Sequence, residues 1–236
     1  MYLDMDLLVN LCNDLGLTLT EKQKSDFETF AGMVVEKNKV MNLTAVTSPD
    51  GMAVKHFADS LSLLTCGEWK EGASFLDVGT GAGFPSIPLL IMRRDIKGVL
   101  LDAQQKRLNF LNNVIKELGL NAVTLHARAE EAAKNKQYRE KFDIVTARAV
   151  AAMPPLTEYC LPFVKVGGKF LAMKGPAANE EMQSAKNAVK VLGGKLNEIK
   201  EFKLDEETRN IIVISKTDKT PPQYPRLQAK ISKSPL

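Results

Sequence analysis

The stretch Phe75-Leu76-Asp77-Val78-Gly79-Thr80-Gly81-Ala82-Gly83-Phe84-Pro85 constrains this chain more than any other. Ser74 to Val78 is an apolar run with Asp77 embedded, which predicts a buried strand. The glycines permit a tight turn and close approach of a ligand to bare backbone, at Gly79 and Gly81 above all. Pro85 and Pro88 suit the first turn of a helix, where backbone N–H groups have no partner within the helix. A strand, a glycine turn and a helix start bring free amides to one point, where an adenosine-containing cofactor can lie.

The spacing decides which cofactor. A dinucleotide site has G-x-G-x-x-G, whereas here the third glycine comes one residue early and Phe84 takes its place. The chain instead carries D-x-G-x-G-x-G, followed at the end of the next apolar run, Val99-Leu100-Leu101-Asp102, by an acid suited to accepting both ribose hydroxyls. Together these are similar to the S-adenosylmethionine (AdoMet) site of class I methyltransferases.

The chain has 236 residues, 44% of them hydrophobic, enough for one large α/β domain with a small helical appendage. Asp4 and Asp6 interrupt the N-terminal leucines, and no apolar run approaches the roughly 18 residues of a membrane span, so a soluble cytoplasmic protein is expected, acting as a monomer and away from membranes. Cys12, Cys66 and Cys160 are too few and too scattered for a disulfide framework, and neither C-x-x-C nor a histidine cluster offers metal ligands. Cys66 and Cys160 are better read as core residues than as methyl-accepting nucleophiles, since one precedes the glycine turn and the other lies in an apolar helical stretch. A net charge of +4 permits a nucleic-acid partner without requiring one.

Three segments emerge along the chain. Residues 1–72 carry helical spacing, with Leu3, Leu7, Leu8, Leu11 and Leu15 on one stripe and Phe27, Phe30, Ala31, Val34 and Val35 on another, capped by Thr20; a further helix starts at Pro49-Asp50. Residues 73–216 alternate strand and helix. Strands are expected over 74–78, 98–102, 122–126, 142–146 and 169–173, with helices over 87–92, 106–118 and 178–192, then a closing hairpin of 195–204 with 210–216. That pattern predicts a mostly parallel, seven-stranded sheet covered on both faces. Residues 217–236 form a proline-rich basic tail in which regular structure is not expected.

In such a sheet ligands lie at the carboxyl ends of the strands. Those ends supply Gly79, Asp102, Ala129, Glu130 and Arg148. Asn42, His56 and Asp59 are more polar than packing demands and are candidates to line the approach. An equal reading has Asn42 satisfying local backbone, Asp59 facing solvent, and His56 serving as a hydrogen-bonded structural residue. The D/N-P-P-Y motif of enzymes that methylate exocyclic amines is missing after the fourth strand, where Thr146-Ala147-Arg148-Ala149 stands. A ring nitrogen with a free lone pair is the better acceptor here, because it needs positioning more than a base.

Asn42-Leu43-Thr44-Ala45, Lys55-His56 with Asp59-Ser60, the Leu76 to Pro85 run, Arg128-Ala129-Glu130-Glu131, Phe142 to Ala149 and Lys174-Gly175 together resemble the RsmG (GidB) family. The resemblance covers almost the whole chain. It implies a class I, Rossmann-like α/β fold and AdoMet-dependent methylation of guanine N7 in the 530 loop of bacterial 16S rRNA, free or within the small ribosomal subunit. It also implies cofactor contacts at Gly79, Phe84, Ala129, Glu130 and Arg148; Gly81 and Asp102 join them through the class I pattern. Arg148 is the expected catalytic residue, with Asn42, His56, Lys174 and Arg226 toward the RNA; Lys174, Arg226, Lys230 and Lys233, the positive charges near the sheet's carboxyl edge and beyond it, are expected on its phosphates. The sequence departs from the family pattern at Lys55, Thr146, Ala229 and Ile231. Two other readings stay open at this level: methylation of a different substrate, and a non-catalytic ribosome-binding factor on the same scaffold.

Overall fold

The computed structural model describes residues 2–66, 68–204 and 206–236. Helices α1 (Met5–Asp14), α2 (Glu21–Met41) and α3 (Pro49–Met52) come first, followed by a π-helical turn (Ala53–Ala58), α4 (Asp59–Leu61) and a 3-10 turn (Ser62–Thr65). The core continues with β1 (Ser74–Val78), α5 (Ser86–Met92), β2 (Lys97–Asp102), α6 (Gln105–Leu118), β3 (Ala122–His126), α7 (Ala129–Ala132), β4 (Phe142–Arg148) and α8 (Met153–Cys160). It ends with β5 (Val164–Lys174), α9 (Ala178–Ser184), α10 (Lys186–Val191), β6 (Gly194–Leu204), β7 (Glu207–Lys216) and α11 (Gln228–Lys233).

The seven strands lie in the order β3-β2-β1-β4-β5-β7-β6. All pairings from β3 to β5 are parallel, and the hairpin strand β7 runs antiparallel to β5. The alternation of strand and helix required this, since parallel neighbours need crossovers while the C-terminal hairpin needs none. The carboxyl ends of β1, β2, β3 and β4 therefore meet at one edge.

Side chains of β1 alternate between two cores, as strand geometry dictates. Phe75 faces the core built by α1, α2, α5 and α6, and Leu76 and Val78 face the core beneath α8, α9 and α10. In the first core Phe27 and Phe57 meet edge to face at 5.4 Å, and Phe57 does the same with Phe84, also at 5.4 Å. The helical N-terminal segment thus reaches the end of the glycine turn through a continuous aromatic contact. All three cysteines are buried, and burial pushes Cys12 up to about 12 and Cys160 well above the usual thiol range, so neither is poised as a nucleophile.

Four expectations need correction. The helix expected over 178–192 is broken at Ala185 into α9 and α10. Strand β5 starts at Val164 rather than at 169, and the register shift opposite Phe142 and Ile144 absorbs the glycine pair within it. The helix after Pro49 is regular for one turn only before widening into the π-helical turn. The tail contains a helix after all, because its prolines at 221, 222, 225 and 235 flank 228–233 without interrupting it. Among the described residues no helix is long and apolar enough to cross a membrane.

Candidate active site

Asp77 organises the glycine turn from below. It is fully buried on the α5 side of β1, where its carboxylate accepts hydrogen bonds from Ser86 at the start of α5 and, at 2.9 Å, from Thr146 of β4. Thr146 is its register partner across the sheet, and Thr80 in the turn meets Ser86 at 2.7 Å. Burial raises the Asp77 carboxyl to about 6 against the opposing pull of the three hydroxyls and of Arg148. The acid of the sequence motif is thus an internal brace, out of reach of a ligand.

Asp102, at the end of β2, holds the turn from the side. One carboxylate oxygen accepts the Gly81 N–H at 3.0 Å and the other the Gln104 N–H at 2.8 Å, with Arg107 3.6 Å away. Gly79 has φ +72°, and a Cβ there would lie 2.7 Å from Val150. Only a residue without a side chain lets the loop after β4 cross so near the turn.

Three cavities meet here. The first, of about 450 Å³, is lined by Gly79, Asp102, Ala129 and Glu130 among others, the ends of β1, β2 and β3. The second, about 200 Å³, adjoins it at Gly79 and runs along Gly81 and Phe84 to Arg148. The third, about 500 Å³, shares His56, Arg148 and Ala149 with the second and opens between Lys55, Asp59, Lys174 and Arg209. Ala149 turns the chain with φ +55°, a costly conformation for a residue with a Cβ, at the point where the cavities join.

Arg148 is held from several sides. Its Nη1 donates to the Lys55 carbonyl and to Asp59, both at 3.0 Å, and its guanidinium lies 5.4 Å from the Phe84 ring centre. Asp59 is 5% exposed and also faces Arg209 at 3.6 Å. Burial raises the Asp59 carboxyl, while Arg148 and Arg209 pull it down. His56 stacks on Phe84 at 4.6 Å and shares a 2.7 Å hydrogen bond with Thr44 through Nε2. Burial and the neighbouring Arg148 hold the imidazole down to about 4, so it is neutral at physiological pH. The π-helical turn carries Lys55 and His56, and such turns recur at functional sites because they redirect side chains and backbone groups.

The expected site residues therefore divide. Gly79, Gly81, Phe84, Asp102, Ala129, Glu130, Arg148 and His56 line this chain of cavities. Asn42 is exposed and serves as the left-handed C-cap of α2, with φ 48°. Lys174 lines the third cavity, but its ammonium donates to the Ala151 carbonyl and to Glu181, each at 2.7 Å. Arg226 donates to Glu158, which is completely buried, with Nη2 at 2.6 Å. Both cations are ion-paired within the protein, Lys174 at the wall of the third cavity and Arg226 against a buried carboxylate. Asp59, which was as readily placed in solvent, is buried. Thr44, Arg107, Arg209, Gln228 and Ser232 were not anticipated; a basic residue in the first turn after Asp102 was a signal for Arg107 alone.

The donor set of the first two cavities fits AdoMet: bare backbone at Gly79, a carboxylate at Asp102 and space on both sides of the turn. Asp102→Ala is expected to weaken AdoMet binding by about 1.5–3 kcal/mol, the range for hydrogen bonds to a charged group. Calorimetry giving wild-type affinity would remove Asp102 from the site.

The model of the family described as rRNA small subunit methyltransferase G matches residues 23–212. A ribosomal RNA small subunit methyltransferase G of Clostridium perfringens is 42% identical over 234 residues, 98% of each chain. The one from Pelotomaculum thermopropionicum is 47% identical over 226 residues, 94% of this chain and 95% of its own. Among solved structures, an Aquifex aeolicus SAM-dependent methyltransferase aligns with a TM-score of 0.51 at 19% identity, over 69% of this chain and 92% of that one. A Thermus thermophilus branched-chain polyamine synthase, bound to N4-aminopropylspermidine and 5′-methylthioadenosine, aligns with a TM-score of 0.60 at 13% identity, over 83% and 65%. At these identities the structures testify to the fold alone.

Proposed function

Since the chain belongs to the rRNA small subunit methyltransferase G family, we propose that it methylates N7 of a guanine in the 530 loop of 16S rRNA, using AdoMet as donor. The observation that carries this reading is the meeting of the three cavities at Gly79, Arg148 and Ala149. The first two are assigned to the cofactor and the third to the acceptor base.

Gly79 and Gly81 present backbone to the cofactor, Asp102 accepts from its ribose hydroxyls, and Ala129 and Glu130 border its adenine. Phe84 is the floor on which both His56 and Arg148 rest. When bound, the cofactor supplies an electrophilic methyl group. Guanine N7 holds its lone pair in the ring plane with no proton to remove, so the chain has to orient the base and exclude water. That matches a site in which the one histidine is neutral and committed to Thr44. Arg148, fixed by Asp59 and the Lys55 carbonyl, borders both the donor and the acceptor cavity and is assigned the positioning of the reacting groups.

Lys55, Arg148, Lys174 and Arg209 at the third cavity, each also paired with a carboxylate of the chain, are the charges assigned to the RNA approach, with His56 on its wall and Asn42 exposed at the end of α2. The proposed partner is the small subunit or its RNA, met in the cytoplasm by a monomer. Mapping N7-methylguanine in 16S rRNA from cells with and without this protein tests the assignment. A single 530-loop modification is expected to disappear without it and to return on incubation with purified protein and AdoMet. An unchanged map, with AdoMet-dependent methylation of some other molecule, would overturn it.

A further inference from the structure

The tail leaves β7 at Lys216, whose buried ammonium donates to the Leu161 and Leu192 carbonyls at 3.0 Å and to Thr220. Arg139 then grips it from the core, donating at 2.8 Å to the carbonyls of Thr220 and Tyr224. Glu140 accepts the Thr220 N–H at 2.7 Å. Two residues past Tyr224, the buried Glu158 of α8 accepts the Arg226 backbone N–H at 2.7 Å and its Nε at 2.9 Å, besides the Nη2 contact. Ile231 is wholly buried. A segment of this composition has no reason to be ordered by its own propensities; these contacts order it, and they do so at one place.

That place is the first cavity, which Asp102 also lines. Gln228 and Ser232, four residues apart and so on one face of α11, line it together with Pro155 and Tyr159 of α8. The ends of β1 and β2 and the segments that follow β1, β2, β3 and β4 supply the rest of the lining. We infer that α11 is a wall of the cofactor site, with the Gln228 carboxamide and the Ser232 hydroxyl contacting the adenosine end of AdoMet. This rests on the cofactor reading above. The tail anchors are then positioning residues: Glu158 neutralises Arg226 and fixes where α11 begins, and Arg139 fixes the path that leads to it. The same anchoring withdraws the Arg226 charge from any RNA partner.

Hydrogen exchange on the full chain, with and without AdoMet, tests the contact in the unmodified protein. Exchange within 228–233 is expected to slow together with that of the glycine turn; protection of the turn with α11 unaffected overturns the inference. Calorimetry on Gln228→Ala/Ser232→Ala is the second measurement, since both side chains are exposed and their loss leaves the core intact. AdoMet and 5′-methylthioadenosine, which share the adenosine end, are each expected to bind about fivefold more weakly or worse, the scale of one or two lost hydrogen bonds. Wild-type affinity for both overturns the inference, as does a loss confined to rRNA binding, which would return the tail to the RNA. Asp102→Ala separates the two levels. If it weakens AdoMet while the double variant does not, only the role of α11 falls; if neither does, the cofactor reading falls with it.

Discussion

Arg148→Ala is expected to lower single-turnover methylation of 16S rRNA on the order of 100-fold with cofactor and RNA saturating, the scale of losing geometric control over two reacting groups. Arg148 is the residue common to the donor-side and acceptor-side cavities whose guanidinium is fixed on several sides, by the Lys55 carbonyl, Asp59 and the Phe84 face. The variant is not expected to melt like the wild type, because Asp59 is buried and would keep only Arg209, at 3.6 Å, as a cation partner. A loss of about 1.5–3 kcal/mol is therefore expected, as for a hydrogen bond to a charged group. Asp59→Asn combined with Arg148→Ala removes the unpaired charge and is expected to recover most of that stability while methylation stays low. A double variant that melts normally and turns over at the wild-type rate would make Arg148 a tether between β4 and the π-helical turn, with no part in the reaction.

Asp77→Ala is expected to cost about 3 kcal/mol in stability, because Ser86 and Thr146 lose their buried acceptor and each stranded hydroxyl costs about 1–3 kcal/mol. The glycine turn hangs on Ser86 and Thr80, so AdoMet affinity is expected to fall as well. The pH dependence is a sharper check. With its carboxyl raised from 3.8 to about 6 in the folded chain, Asp77 stabilises fully below 3.8. As pH rises toward 6 the unfolded chain sheds this proton first, and that stability is lost. The advantage of wild type over Asp77→Ala should shrink across that window by on the order of 3 kcal/mol.

His56 works in the opposite sense. Held down from 6.5 to about 4, it contributes fully above 6.5 and loses that contribution as pH falls toward 4, because the unfolded chain takes up the proton first. The two windows overlap with opposite slopes, so they offset each other in the wild type. Denaturant titrations between pH 4 and 6.5 should therefore show stability rising more steeply with pH in Asp77→Ala than in wild type, and less steeply in His56→Gln. Parallel curves for all three proteins would mean that neither group titrates differently on folding.

What the sequence by itself determined is what depends on neighbours along the chain. The apolar run, glycine turn and prolines between Ser74 and Pro88 produced the turn; the alternation of periods produced the sheet; Asp102 followed from its place at the end of a strand. These are properties of a few consecutive residues and of backbone geometry, so they survive any ignorance of the tertiary contacts. The partners of the charged residues do not. Arg148 meets Asp59 across 89 positions and Arg226 meets Glu158 across 68, and the sign of a charge says nothing about which opposite charge the fold brings to it. The same lysine or arginine pattern therefore predicted phosphate contacts at Lys174 and Arg226, where packing had already supplied carboxylates. The broken helix at Ala185, the π-helical turn and the ordered tail belong to this second class too. In each, burial outweighs local propensity, joined in the π-helical turn and the tail by long-range hydrogen bonds, and only the assembled core sets their strength.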